Sequence, residues 1–497
     1  MEVLLVILLS LIFFLMVMHG VRLHRKTKLP PGPLGFPIIG NLLELGPKPH
    51  ESLAKLAQRY GPLMTIRLGS ITTVVASTPD AAREILQRKD EVCSGRLIID
   101  AAKGLENLEA TMLWMSPNET WRAIRKALNL YLTNPQKLNA LSGLRQDVVD
   151  ETMKFVRESG HKKVSVDIGK LAFSMVLNQL SNTLLSQNVT SYESDNIKGF
   201  KTAVATVMEV LGRFNIADVI PVMKPLDPQN IRRRAKAAYQ WLDEVTERLV
   251  SERLKHRESK LPRFGDMLDS LLEFSQENQD KFKLVHIKVL LADLFIAGTD
   301  TVTNTVTWAM SELLRNPDML LRLRQEVDQI VGQDGKIKEE KILGLLYLNA
   351  VIKETMRLHA PSPLLAPHKT ETEVKLGNYI VPAETQILVN VWAIGRDPSF
   401  WESPTSFMPE RFLKNEIDYK GQHFEFLPFG SGRRRCPAMP LAPRMVSLIL
   451  ASFVYHFDWK LPHDKDEMDM NGVFGLSLQK ATPLIATPIP VKLVDDF

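Results

Sequence analysis

The sequence predicts a mainly α fold with a small β portion. Three observations carry this expectation. Ile231 to Arg257 and Val285 to Arg315 keep helical spacing over stretches much longer than an average helix. Leu63 to Ala76 alternates loosely, is rich in Ile, Val and Thr, and has Gly69-Ser70 at its middle, which is the pattern of a β-hairpin. Pro361 to Val391 breaks into short β-type runs separated by Pro and Gly.

The bulk numbers bound the function class. A chain of 497 residues that is 45% apolar and 24% charged is ordinary for a globular protein and buries a large core without staples. Its net charge of +5 suits an anionic membrane surface or an acidic partner, and is too small and dispersed to argue for nucleic acid. Only two cysteines are present, Cys93 and Cys436, so a disulfide framework and a multi-cysteine zinc or iron–sulfur site are excluded. Each cysteine is then a core residue, a nucleophile or a single-thiolate metal ligand.

In chain order, residues 1–21 come first. Val3 to Met18 is uncharged and almost wholly apolar, and His19, Gly20 and Val21 extend it to about the span of a thin bilayer. Arg22, His24, Arg25, Lys26 and Lys28 follow at once. A secretory signal has the opposite order, with positive charge before the apolar stretch. This segment is therefore expected to be a single transmembrane anchor in the endoplasmic reticulum membrane, with everything after it in the cytosol. Residues 22–33 form a basic flank and a stiff hinge, Leu29-Pro30-Pro31-Gly32-Pro33. Residues 34–497 are expected to be one domain. Within it, Val285 to Arg315 is apolar on most faces, so it must run through the core, and it stops at Asn316-Pro317. Phe214 to Val222 is an apolar connection near prolines, open to two readings: a buried loop or a second membrane contact.

The sharpest motif is Phe426-Leu427-Pro428-Phe429-Gly430-Ser431-Gly432-Arg433-Arg434-Arg435-Cys436-Pro437. Glycines allow positive φ and close backbone approach. Cations and unpaired N–H groups favour a thiolate. Mid-way along the apolar helix lies Ala297-Gly298-Thr299-Asp300-Thr301, a costly choice of residues for a buried helix. It reads either as a wetter face or as a local opening that holds water. Glu354-Thr355-Met356-Arg357 sets an acid and a base on one helix face, but Glu119–Arg122 and Glu312–Arg315 share that pattern.

Phe429-x-x-Gly432-x-Arg434-x-Cys436 resembles the haem-binding signature of the cytochrome P450 family, and the resemblance extends over the whole chain. It is similar to plant microsomal members, and within them to the group of geraniol hydroxylases and abietane diterpene oxidases. The resemblance implies the cytochrome P450 fold behind the anchor, and haem b with Cys436 as axial ligand to the iron. Ala297-Gly298-x-Asp300-Thr301 matches the family's oxygen-activating motif. By resemblance Thr301 holds dioxygen, Asp300 gates proton delivery, and Ala297 and Gly298 leave space above the iron. Trp121, Arg125, His368 and Arg434 would contact the haem propionates, and Phe429 and Gly432 would bind the cofactor from the cysteine loop. Glu354, Arg357 and Arg411 would form a structural network behind the haem. Leu211, Leu294, Leu365, Ala366 and Leu476 map to substrate-contacting regions, and nearly all are apolar.

One departure stands in the signature: Ala438 replaces the usual glycine, and its methyl group predicts slight strain in the turn. The implied reaction is monooxygenation of a small apolar substrate, most simply a terpenoid, with O₂ and electrons from NADPH–cytochrome P450 reductase. Arg125, Lys126, Arg433 and Arg435 would face the reductase. Alternatives are a phenolic or alkaloid substrate, a haem-thiolate isomerase or dehydratase, a non-catalytic haem-binding scaffold, and a nucleophilic Cys436, which has no base nearby in sequence.

Overall fold

The computed structural model describes residues 28–132, 134–190, 195–259, 261–331 and 336–491. The expected anchor at residues 1–21, and most of the basic flank, lie outside the described residues. Among the described residues, no helix is long and apolar enough to cross a membrane.

The hairpin forms as read. β1 (Leu63–Leu68) and β2 (Ile71–Ala76) pair antiparallel with Gly69-Ser70 at the turn, where Gly69 takes φ 58°. The late irregular segment supplies β3 (His368–Lys369) and β4 (Gln386–Val389), which complete a sheet in the order β1-β2-β4-β3. β2 and β4 run parallel, and Thr73 Oγ1 reaches Gln386 Oε1 across them at 2.9 Å. Near the C-terminus β5 (Gly472–Phe474) and β6 (Leu478–Lys480) make a small hairpin.

Helices build the rest. They include α1 (Glu119–Leu132), α2 (Ile168–Leu185), α3 (Asp195–Gly212), α4 (Ile231–Glu258), α5 (Leu284–Arg315), α6 (Leu346–Leu358) and α7 (Ala442–His456). Both long helices of the sequence reading are present, each one residue longer than expected at one end. α1 starts where Asn118 Oδ1 accepts the N–H of Trp121 at 2.8 Å, a side-chain cap on an otherwise orphaned donor. α5 packs along α2, and both are buried over most of their length. α5 is continuous from Leu284 to Arg315, so the local opening considered from sequence does not occur. Its hydroxyls bond back one turn instead: Thr299 to Phe295 O at 2.6 Å, Thr301 to Ala297 O at 2.8 Å and Thr305 to Thr301 O at 2.8 Å.

Of the three Glu-x-x-Arg matches, only one makes a buried pair. Glu119 turns to Lys281, and Glu312 binds His359 at 2.7 Å. Glu354 grips Arg357 with both oxygens at 2.7 Å, and its Oε1 also accepts from Met408 N at 2.8 Å and Arg411 Nε at 3.1 Å. Arg357 in turn donates to the carbonyls of Gly395 and Pro404, and Arg411 to that of Ser403. The network therefore ties α6 to the chain from 395 to 412. Ring contacts carry it onward, with Phe412 lying 5.0 Å from Phe426 at the head of the cysteine loop.

Phe214 to Val222 is only in part a buried loop. A short helix, Ile216–Val219, buries Ala217 and Val219, while Phe214 and Val222 stay exposed. Ser70 N donates to Val219 O, so the segment packs on the β1–β2 turn.

Glu354→Gln leaves two buried guanidinium groups without their carboxylate. Breaking a buried pair from one side costs about 3–5 kcal/mol. The expected result is a large fall in the denaturant midpoint with early loss of bound haem, whereas Glu119→Gln, at the exposed match, leaves the midpoint almost unchanged.

Candidate active site

Most of the expected site residues come together around one cavity. It lies between α5 and the loop that ends at Cys436, and its volume is about 300 Å³. From α5 it is lined by Leu294, Ala297, Gly298 and Thr301, and from the cysteine loop by Phe429, Arg434 and Cys436. Trp121 and Arg125 of α1, together with Leu365, Ala366 and His368, form another part of the wall. Leu211 and Leu476 complete it. Ala297 is exposed although it sits mid-way along a core helix, because it faces this space.

Three expected residues are placed differently. Asp300 does not line the cavity; its carboxylate turns to Ser477, Gln479 and Asn304. Gly432 also lies off the wall. It has φ 70°, and a Cβ there would stand 2.1 Å from Leu86 O, so this glycine lets the loop pass a neighbouring helix. Gly298 does border the cavity, but a Cβ on it would stand 2.9 Å from Leu180 Cδ2. Its missing side chain thus makes room for α2 rather than only for a ligand.

The loop geometry explains the rest of the motif. Gly430 has φ 65°, and Cys436 N donates to Phe429 O at 3.0 Å, which closes the loop on itself. The three arginines go three ways. Arg433 N bonds Asp90 at 2.9 Å, and the Arg433 side chain lies near Asp90 and Glu91. Arg434 donates to the carbonyls of Ser94 and Met112 at 2.9 and 3.1 Å, and to that of Met115. Arg435 reaches Lys420 O at 2.8 Å, and its own carbonyl accepts from Arg125. Ala438 is not strained, contrary to the expectation. It has no positive φ, its N–H donates toward the Cys436 sulfur, and its carbonyl accepts from Leu441 N and Ala442 N.

Electrostatics separates the two cysteines. Cys93 is fully buried in an apolar cluster, and burial pushes its thiol up to about 12. Burial also raises the Cys436 thiol, and it outweighs the opposing pull of the Ala438 and Met439 amides and of Arg125 and Arg435. The cations alone therefore do not hold a free thiolate here. A metal ion on the sulfur would, because a coordinating thiol loses its proton outright.

Two wall residues escaped the sequence reading. Arg96 is buried and donates to Ala366 O and Pro367 O at 2.6 Å and to Leu113 O at 3.2 Å. Burial, then repulsion from Arg434, lowers its pKa. Its only signal was an arginine just ahead of the apolar Leu97-Ile98-Ile99. Asp293 is the other, with its carboxyl accepting from Met112 N at 3.0 Å and raised to about 7 by burial. It stands one turn ahead of Ala297 on the same helix.

These residues fit a haem. Arg96, Arg125 and Arg434 gather on the wall, where Arg96 and Arg434 repel one another, and Trp121 Nε1 is buried without a partner. Such a cluster lacks the anionic acceptors that two propionates would supply. His368 differs in detail from the expectation. Its Nδ1 donates to Cys93 O at 2.9 Å, and burial and Arg96 hold its pKa well below the ordinary imidazole value. It is thus neutral with Nε2 as an acceptor, and it can donate to a carboxylate only after taking a second proton.

Cys436→Ser tests the ligand assignment. The reduced wild-type protein is expected to give a strongly red-shifted Soret band with carbon monoxide, and the variant none. Ala438→Gly is expected to leave that band in place. A wild-type band at the ordinary histidine-haem position would remove Cys436 from the site.

Comparison with known proteins agrees with this geometry. The cytochrome P450 family profile matches residues 30–486. The chain is 43% identical to geraniol 8-hydroxylase of Swertia mussotii, covering 94% of this chain and 95% of that one. It is 41% identical to ferruginol synthase of Salvia miltiorrhiza, covering 97% and 98% of the two chains. Among solved structures, that of a zebra fish cytochrome P450 with progesterone superposes with a TM-score of 0.77 at 25% identity, over 89% of this chain and 99% of that one. The chain is a member of the cytochrome P450 family, a haem-thiolate monooxygenase.

Proposed function

We propose that this monooxygenase hydroxylates an apolar terpenoid, a mono- or diterpene, with O₂ and with electrons passed from NADPH by NADPH–cytochrome P450 reductase. The observation that carries the substrate class is the set of apolar side chains on the cavity wall. Met208, Leu211, Leu294, Leu365, Ala366 and Leu476 line it, and few hydrogen-bonding groups interrupt them. Such a wall favours a hydrocarbon-like ligand over a polar one. The names of the relatives, geraniol 8-hydroxylase and ferruginol synthase, support the same class.

Haem bound at this site supplies the activation of O₂, helped by electron donation from its thiolate ligand. The chain supplies position, protons and exclusion of water. Cys436 would hold the haem iron through its sulfur. Arg96, Arg125, Arg434 and Trp121 would hold the haem propionates, with His368 on the same wall. Thr301 holds a hydrogen bond at the cavity wall and Asp300 delivers the proton. Burial raises the Asp300 carboxyl to about 6, so near neutral pH it can both give up a proton and regain one.

The reductase site in this reading is the outer side of the cysteine loop and α1, where Arg122, Arg125 and Lys126 line a surface hollow on α1 and Arg433 is exposed on the loop. The membrane-facing side is the apolar surface of Leu34, Phe36, Ile38 and Leu43 with Phe214, Val222 and Leu226, all exposed. The 39, 69–70 and 219 backbones are joined by hydrogen bonds, which puts these residues on neighbouring elements.

Two measurements test the proposal. Titration of the haem spin state with monoterpenols, abietane and other diterpenes, and phenolics is expected to respond to a terpenoid. A clear response to phenolics with none to any terpenoid would sink the substrate class. Lys126→Glu is expected to weaken reductase-supported NADPH oxidation roughly tenfold at low salt and much less at high salt, with the spin-state titration unchanged.

A further inference from the structure

Asp300 is held from the side of the protein opposite to its expected place of action. Its Oδ2 accepts the hydroxyl of Ser477 and the Asn304 amide at 3.0 Å, and its Oδ1 accepts Gln479 Nε2 at 2.9 Å. All three partners are neutral, so burial sets the direction of its pKa shift and no cation opposes it. Ser477 and Gln479 belong to the β5–β6 hairpin, whose tip is stitched to α3 by Leu476 N donating to Met208 O at 3.1 Å. In the bend between the two strands, neighbouring side chains go to different places. Leu476 lines the cavity, whereas Ser477 meets Asp300.

Behind Ser477 lies a second, separate cleft at the surface. Ser477 and Gln479 line it from the hairpin, and Lys198, Lys201, Thr202 and Glu209 line it from α3. Ser477 itself is only 1% exposed, while Gln479 is half-buried and nearer to solvent. On its other side Asp300 is adjacent in sequence to Thr301, which does line the cavity. The cavity offers a poorer supply of protons. Ala297, Gly298 and Val302 are apolar neighbours of Thr301 there, and the Thr305 hydroxyl is already bound to Thr301 O, so this part of the wall does little to hold a chain of waters.

We propose that protons reach Asp300 from this surface cleft, with Ser477 as the relay and Gln479 as a positioning residue. The inference rests on the proton-delivering role proposed above for Asp300. The step balances simply. The Ser477 hydroxyl gives its proton to Asp300 Oδ2 and takes one from water in the cleft. One proton moves from solvent to the carboxyl, no electron moves, and only O–H bonds change. An amide cannot relay in this way at low cost, which is why Gln479 holds Oδ1 and does no more.

The test uses the full-length haem-loaded protein with its reductase, in Asp300→Asn, Ser477→Ala, Ser477→Thr and Gln479→Leu, each first shown to keep the wild-type carbon monoxide spectrum. Infrared difference spectra against Asp300→Asn isolate the Asp300 carboxyl band, whose wild-type midpoint is expected at about 6. In Ser477→Ala that midpoint rises, because a donor to the ionised form is gone, and Ser477→Thr restores it. NADPH oxidation in H₂O and D₂O supplies the second readout. Ser477→Ala is expected to roughly double the solvent isotope effect and to divert more of the consumed NADPH into hydrogen peroxide, with Thr again restoring the wild-type values. Gln479→Leu moves the infrared midpoint and leaves the isotope effect near wild type. If Ser477→Ala matches wild type in isotope effect and peroxide while Asp300→Asn changes both, the relay is wrong and the role of Asp300 stands. If Asp300→Asn also matches wild type, both fall. An unmoved infrared midpoint in Ser477→Ala overturns the relay without any turnover measurement.

Discussion

The carboxylate of Glu354 is the constraint on which the site depends. A fully buried charge is costly unless every lone pair is answered. Here the answers come from Arg357 on the same helix, from Arg411 far along the chain, and from the Met408 amide. Each arginine must in turn spend its other donors on backbone carbonyls between 395 and 406. No partial version of this arrangement is acceptable in a dry interior, so the segment leading to the cysteine loop has one conformation. Phe412 against Phe426, and Tyr419 against Phe429, pass that definition to the loop. Met356, between the two network residues in sequence, lines the cavity. The same helix thus fixes the loop with one face and shapes the binding space with the other.

The second requirement is that α5 carry polar residues through the core without opening. Thr299, Thr305 and Thr307 do this by returning their hydroxyls to their own helix, which satisfies a buried donor without a tertiary partner. Thr301 does the same while bordering the cavity, so its hydroxyl is already oriented by Ala297 O. Asp300 takes one donor, Asn304, from its own helix and two more from a different element, the β5–β6 hairpin. The hairpin therefore has a structural reason to lie where it does, and Leu476 reaches the cavity as a consequence.

Legibility followed the range of each interaction. The two long helices, the β1–β2 hairpin and the broken β segment were readable because periodicity and turn residues are local signals. The cysteine loop was readable because its glycines and charges are contiguous. The direction of Asp300 was not, because it depends on Ser477 and Gln479, far away in sequence. Gly298 and Gly432 were recognised as special for an incomplete reason, since their close neighbours are Leu180 and the Leu86 carbonyl. Arg96 went unnoticed because nothing adjacent marks it, and its carbonyl partners come from two distant loops. Ala438 raised a concern that the backbone removes, because the position does not need the left-handed region in which glycine alone is free.

These placements share one electrostatic logic. The cations of the cavity sit on the wall beside Trp121, and Asp300 is screened from them behind α5 with only neutral partners. In a medium of low dielectric a direct Arg–Asp pair would be strong and would satisfy both groups. It would also disarm both. The arginines would have no charge left over for propionates, and a carboxyl pulled down by a cation would lie too far below neutral pH to return a proton. Keeping acid and cation on opposite sides of one helix leaves each with an unmet demand. The arginines can meet theirs by binding a haem, and Asp300 can meet its own by exchanging protons with solvent.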